Sequence, residues 1–296
     1  MMQKAIVIAG PTAAGKTALS IDIAHEIDGE IISADSRQVY RGLDIGSSKI
    51  TPEEMQGVPH HLLNVADPKK TFAVSDFIRF GRRALDEIEK NRRMPLIVGG
   101  TGFYIDALLG RNSPAPVSPN QKLREELNAL PVEKLIKRLE ALDENYAKKI
   151  DRKNKRRVVR AIEIIDALGF MPRPTLENLC NTLWIGLTVP FPTLREKIKK
   201  RMDIRLSMGM LDEARTLHQN GISYERMEEF GLEYRLMAEH MQGKINLAQL
   251  KERIENESMA YAKRQMTWFK RNKSMHWFDP KQQEQITAMV KKFMTK

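Results

Sequence analysis

At 296 residues, 42% hydrophobic and 29% charged, the chain has the composition of a soluble globular protein of one large or two modest domains. Its single cysteine, Cys180, excludes a disulfide framework or a multi-cysteine zinc site, and no apolar run reaches bilayer length. Lysine and arginine total 49 against 38 acidic residues, a net +11 that suits either a polyanionic partner such as nucleic acid or a surface charged for solubility.

The first apolar run, residues 4–9, reads as a buried strand and leads straight into Gly10-Pro11-Thr12-Ala13-Ala14-Gly15-Lys16-Thr17. This is a G-x-x-x-x-G-K-[ST] phosphate loop in its proper setting, since Ala18, Leu19, Ile21, Ile23 and Ala24 then recur with helical spacing. The two glycines let the backbone curl its N–H groups around a polyanion. Lys16 adds a charge for the terminal phosphates, the Thr17 hydroxyl suits a phosphate-bound Mg²⁺, and the helix dipole points at the same spot. No charged-then-apolar leader precedes the strand, so a cytoplasmic protein is the expectation.

Further strands are expected at 30–33 and 94–98, with a helix over 75–91 between them. The second strand runs into Asp35, Ser36, Arg37, Gln38, Tyr40 and Arg41, more donors and acceptors than a turn requires. Strand ends on the phosphate-loop side of a parallel sheet open onto the active-site crevice, so Asp35 is placed as a general base or metal-associated carboxylate, or as a cap of its own turn. The strand at 94–98 ends in Gly99-Gly100-Thr101-Gly102 with none of the carboxylate that ordinary NTPases place there, which weakens a simple NTPase reading.

Residues 111–120, rich in Pro and Ser, read as a linker, and 121–167 as helices. A strand at 182–189 returns to the first sheet, which makes 111–180 an insertion into a catalytic core of 1–110 and 181–296. Helices are expected over 191–220, 234–241 and 247–271, a short strand at Trp277-Phe278, and a final helix. The fold class is therefore α/β, a P-loop NTPase-like parallel sheet flanked by helices, with an inserted all-helical subdomain. In that insertion Arg152, Lys153, Lys155, Arg156, Arg157 and Arg160 crowd one stretch, with like charges stacked at i, i+4, which sits poorly with a merely solvated face. Arg201 is a candidate second cation for the phosphate site, or one charge of a solvated helix face; Lys263, Arg264 and Gln265 carry a similar ambiguity, and the apolar Tyr261, Trp268 and Phe269 around them point to a packed helix with a mixed structural and tRNA-facing role.

Six segments in order, 10–17, 34–49, 58–68, 99–109, 154–164 and 261–271, together resemble the tRNA dimethylallyltransferases across nearly the whole chain. The resemblance implies transfer of the dimethylallyl group of dimethylallyl diphosphate to the exocyclic amine of the adenosine on the 3′ side of the tRNA anticodon, with Mg²⁺ and release of diphosphate. It implies Asp35 as general base, Thr101 beside amine and leaving group, and Gly10 to Thr17 as the diphosphate holder. The anticodon stem-loop contacts it implies are Asp35, Ser36, Arg37, Gln38, Thr101, Leu123, Arg156, Arg157, Val158, Val159 and Arg160. The segment Phe230 to Arg235 falls in another tRNA-contact region of that family, at a different spacing. A monomer with no membrane partner is expected. Alternatives are an isopentenyltransferase of free adenine nucleotides, a small-molecule kinase, or a non-catalytic RNA-binding NTPase. Ser47-Ser48 stands where the family often has Thr-Ala, and Phe103 where Leu or Met is common.

Overall fold

A computed structural model describes residues 3–173, 176–177 and 179–295; residues 174, 175 and 178, inside the expected insertion, lie outside the described residues. In chain order the elements are β1 (Lys4–Ala9), α1 (Lys16–Ile27), β2 (Gly29–Ala34), α2 (Pro52–Met55), β3 (His60–His61), α3 (Val74–Lys90), β4 (Met94–Gly99) and α4 (Gly102–Leu108). There follow α5 (Gln121–Asn128), α6 (Val132–Leu142), α7 (Glu144–Ala147) and α8 (Lys155–Leu168). The chain then forms β5 (Asn181–Leu187), α9 (Phe191–Ser207), α10 (Met210–Gln219), α11 (Tyr224–Glu229), α12 (Leu232–Met241), α13 (Leu247–Phe269), β6 (Met275–Phe278) and α14 (Gln283–Thr295).

The strands form one six-stranded sheet in the order β3-β2-β4-β1-β5-β6, parallel throughout. Alternation along each strand divides its side chains between two cores. Val7, Ile32, Ile97 and Trp184 face Phe77, Ile88, Ile105 and Leu108 of α3 and α4. Ile6, Ile8, Ile31, Leu96 and Ile185 face Leu19, Ile23, Ile286 and Val290 of α1 and α14. The register aligns Ala9, Ala34 and Gly99, so the chain segments leaving β1, β2 and β4 emerge side by side on one edge of the sheet. A third core, built on Val39, Leu43, Phe230, Tyr234 and Met237, fastens the segment after Asp35 to the C-terminal helices.

The expected helix over 191–220 is two helices. It breaks at Gly209, whose φ of +93° is costly for any residue with a Cβ, and which serves as N-cap of α10. Strand β3 was not expected: two residues, His60 and His61, carry too little periodicity to register, yet they pair with Ile31 and Ile32.

The chain divides into two compact units, one of residues 1–111 and 177–296, the other of 112–176. The second unit is all-helical and has its own core of Leu127, Leu135, Leu139, Val158 and Ile162. In the first unit the N–H of Glu177 donates to the carbonyl of Gly110 at 2.9 Å, and a Cβ on Gly110 would lie 1.9 Å from the Glu177 carbonyl oxygen.

Candidate active site

The loop after β1 turns on Gly10, at φ +153°, where a Cβ would come within 2.8 Å of the Leu187 carbonyl oxygen. Ala13 takes φ +61° and Gly15, N-cap of α1, +94°. Lys16 folds back over the loop and donates to the carbonyls of Gly10 at 3.1 Å and Pro11 at 2.8 Å. Burial and the nearby Arg201 guanidinium pull its ammonium down to about 8, against a smaller opposing pull from Asp35. Thr17 is exposed in the first turn of α1. Among the described residues no three His, Cys, Asp or Glu groups gather as a metal cage. One free hydroxyl beside a phosphate-binding loop fits Mg²⁺, which takes few protein ligands and keeps its waters and phosphate oxygens.

The segment after β2 is held by its own first residue. Asp35 Oδ1 accepts the N–H groups of Arg37 at 2.8 Å and Gln38 at 3.4 Å, and its other oxygen has no protein hydrogen bond among the described residues. Capping the turn and presenting a carboxylate oxygen are thus compatible roles for one side chain. Gly99 approaches Ala34 so closely that a Cβ would lie 2.2 Å from the Ala34 carbonyl oxygen. The Thr101 N–H donates to that same oxygen at 3.2 Å, and Thr101 Oγ1 accepts the Ser36 N–H at 3.4 Å. Asp35 and Thr101, 66 positions apart in the chain, are neighbours for this reason. Gln38 is fixed at both ends: Oε1 accepts from the Ser33 hydroxyl and Nε2 donates to the Ser48 carbonyl, each at 3.1 Å. Arg37, expected to face a nucleotide, donates from its guanidinium to the Phe230 carbonyl at 2.8 Å and the Ser36 hydroxyl at 2.5 Å.

Arg201 is not part of a solvated face of α9. Its Nη2 donates to Thr12 Oγ1 at 2.6 Å, its Nε is buried without a partner among the described residues, and burial, together with Arg205, pulls the guanidinium down to about 10. Lys263 and Arg264 are exposed and lie over the rings of Phe191 and Tyr261. The residue next to them joins the site. Gln265, 5% exposed, accepts the Thr12 N–H at 2.9 Å and donates to the Gly100 carbonyl at 3.0 Å, so one amide ties the phosphate loop to the turn that carries Thr101. Its signal was the run of glycines at 99–102: a Cβ on Gly100 would meet Gln265 Nε2 at 2.1 Å.

A second brace escapes sequence reasoning. The Glu213 carboxylate collects the N–H groups of Asp44, Ile45 and Gly46 at 2.9, 2.6 and 2.9 Å, and the Tyr234 hydroxyl at 2.7 Å. Nothing in the spacing of an acidic residue on an amphipathic helix announces that task. In the expected tRNA-contact segment at 230–235, Phe230 and Tyr234 are core residues, and Arg235 is paired with Glu239 and Glu257.

Part of the expected RNA-facing set in the helical unit is buried. Leu123, Val158 and Val159 pack in the unit's own core. Arg160 is committed to the buried carboxylate of Glu163 and to the Val117 carbonyl at 2.7 Å. That carboxylate also takes Arg124 and the Asn120 N–H; burial pushes it up, but these partners hold it below the usual glutamate value. Arg152 pairs with Glu140, and Lys155 donates to the Asn128 carbonyl. Arg156 and Arg157 remain exposed in the first turn of α8, and neither has an ion-pair partner among the described residues.

A parallel sheet with a phosphate loop after β1, and a carboxylate and a hydroxyl set beside that loop, defines a P-loop-type transferase site. Comparison with known proteins specifies it further. The IPP transferase family matches residues 38–272, and the isopentenyl transferase family residues 3–66. A tRNA dimethylallyltransferase of Limosilactobacillus reuteri is 39% identical over 99% of this chain and 98% of its own length; one from Halalkalibacterium halodurans is 37% identical over 94% and 92%. The full-length tRNA isopentenylpyrophosphate transferase of Bacillus halodurans superposes with a TM-score of 0.72, at 35% identity over 98% of this chain and 96% of that one. A eukaryotic dimethylallyltransferase acting on tRNA gives 0.83, at 25% identity over 99% and 80%. The chain belongs to the IPP transferase family and is a prenyl-group transferase.

Proposed function

We propose that the enzyme transfers the dimethylallyl group of dimethylallyl diphosphate to the exocyclic amine of the adenosine 3′-adjacent to the anticodon of tRNA, releasing diphosphate. The observation that carries this reading is the joining of Asp35 and Thr101 at adjacent strand ends, beside a phosphate loop that Lys16 and Arg201 make cationic. The loop N–H groups, Lys16 and Arg201 take up charge on the diphosphate as its bond to carbon breaks. The Nε of Arg201, without a partner among the described residues, is a further donor there. Mg²⁺ held at Thr17 would supply further neutralisation of the leaving group.

The amine of adenine is a weak nucleophile because its lone pair is delocalised, so much of the rate comes from holding it against the allylic carbon. The uncommitted oxygen of Asp35 takes the proton released as nitrogen bonds to carbon, and the Thr101 hydroxyl orients the same amine. Arg156 and Arg157 engage phosphates of the anticodon arm, where a loop base unstacks at modest cost.

The test is to incubate the protein with labelled dimethylallyl diphosphate, Mg²⁺ and either tRNA or AMP. Label on tRNA is the expected result. Label on AMP alone would overturn the choice of acceptor.

A further inference from the structure

Away from the phosphate loop, α4 and the end of α13 meet the middle of β5 around a cleft of about 140 Å³, lined chiefly by Asp106, Arg111, Trp184, Trp268, Arg271 and Asn272. It shares none of these residues with the site described above. The Arg111 guanidinium lies 4.6 Å from the ring centre of Trp184, and that of Arg271 4.1 Å from Trp268. Neither arginine has a carboxylate within ion-pair distance among the described residues. Their protein bonds are to the Asn272 side-chain oxygen at 3.2 Å and to the Trp268 carbonyl at 3.3 Å. Asn272 Nδ2 is buried and has no acceptor among the described residues. The cleft's one acid, Asp106, accepts the Trp268 indole N–H at 2.9 Å, and burial pushes its carboxyl up despite that bond and both arginines.

A guanidinium stacked on an indole keeps its N–H edge free and is weakly hydrated, the form in which arginine grips oxyanions. Two such arginines and an asparagine whose amide donor has no acceptor among the described residues line a space of phosphate size, together with one carboxylate already engaged. A buried donor without a partner calls for an acceptor from outside the chain. We propose that this cleft is a second anion site that takes a phosphate group, either free phosphate or a phosphodiester of bound RNA. Asn272 Nδ2 and the outer N–H groups of Arg111 and Arg271 are its donors.

The test uses a protein whose phosphate loop is silenced by Lys16→Ala and Arg201→Ala. Inorganic phosphate is titrated while indole fluorescence is followed, since two of the chain's three tryptophans line the cleft. A saturable change is expected. Arg271→Ala, at an exposed position, and Asn272→Asp, of unchanged shape, should each weaken it by about tenfold or more. With tRNA and the intact phosphate loop, a salt slope that falls by about one in Arg271→Ala identifies the ligand as an RNA phosphodiester. An unchanged slope alongside a retained phosphate response identifies free phosphate. No saturable change, or equal titrations in the parent and both variants, overturns the proposal. Because the readout is not prenyl transfer, its failure would leave the proposed reaction untouched.

Discussion

Gln265 offers the sharpest test of how the site is held together. Gln265→Leu keeps the side chain's approximate volume but removes both of its bonds, leaving the Thr12 N–H and the Gly100 carbonyl without their partner in a buried place. An unsatisfied buried polar group costs about 1–3 kcal/mol, so the pair should cost about 2–6 kcal/mol. Against a total stability of about 5–15 kcal/mol this is a large fraction. Urea unfolding should show a lower midpoint at constant slope. The transfer rate should fall about tenfold or more, because the phosphate loop and the Thr101 turn lose their common anchor. Gln265→Glu separates the two bonds: its carboxylate can still accept the Thr12 N–H but cannot donate to Gly100, so it should fall between parent and leucine variant in stability. A leucine variant within about 0.5 kcal/mol of the parent, with an unchanged rate, would refute the brace.

Three further outcomes are expected. The folded chain releases the Lys16 proton near pH 8 while the unfolded chain keeps it to about 10.5, so folded protein binds fewer protons between those values and stability should rise with pH across that window. Diphosphate restores that proton, so above pH 8 its binding should weaken and take up protons, which calorimetry in buffers of different ionisation enthalpy will detect; the same proton count in Lys16→Met would exclude Lys16. In Asp35→Asn the side-chain oxygen can still accept the Arg37 and Gln38 N–H groups, so fold and tRNA binding should persist while transfer falls on the order of a hundredfold or more; a parental rate would remove Asp35 as base. Changing Arg156 and Arg157 to Ala should weaken tRNA binding and flatten its salt dependence with little loss of stability, whereas Arg160→Ala, which strips a buried carboxylate of a partner, should lower the unfolding midpoint instead.

The parallel sheet was legible because its central strands are short apolar runs bounded by breakers, and the phosphate loop because its function demands particular residues at fixed spacing. Asp35 was legible as a strand-end acid, and Thr101 through the resemblance. The arrangement that makes neighbours of them was not, because it depends on Gly99 letting β4 close on Ala34. The basic stretch of α8 shows the opposite failure. Its charges count equally in a sequence, but Glu163, eight positions beyond Lys155, is buried and claims Arg160, and Lys155 is spent on the Asn128 carbonyl, while Arg156 and Arg157 have neither kind of partner among the described residues. Burial of one acid decides which bases face outward, and helical spacing cannot report it.

The bond between Glu177 and Gly110 has a consequence for how such a chain can change over time. The main unit leaves off and resumes at backbone groups already in contact, so a chain running from Arg111 directly to Glu177 has almost no distance to span. The helical unit is therefore a cassette set into a closed seam. It can be shortened, exchanged or redrawn without the sheet having to answer for it, provided that Gly110, where the seam leaves no room for a side chain, is kept.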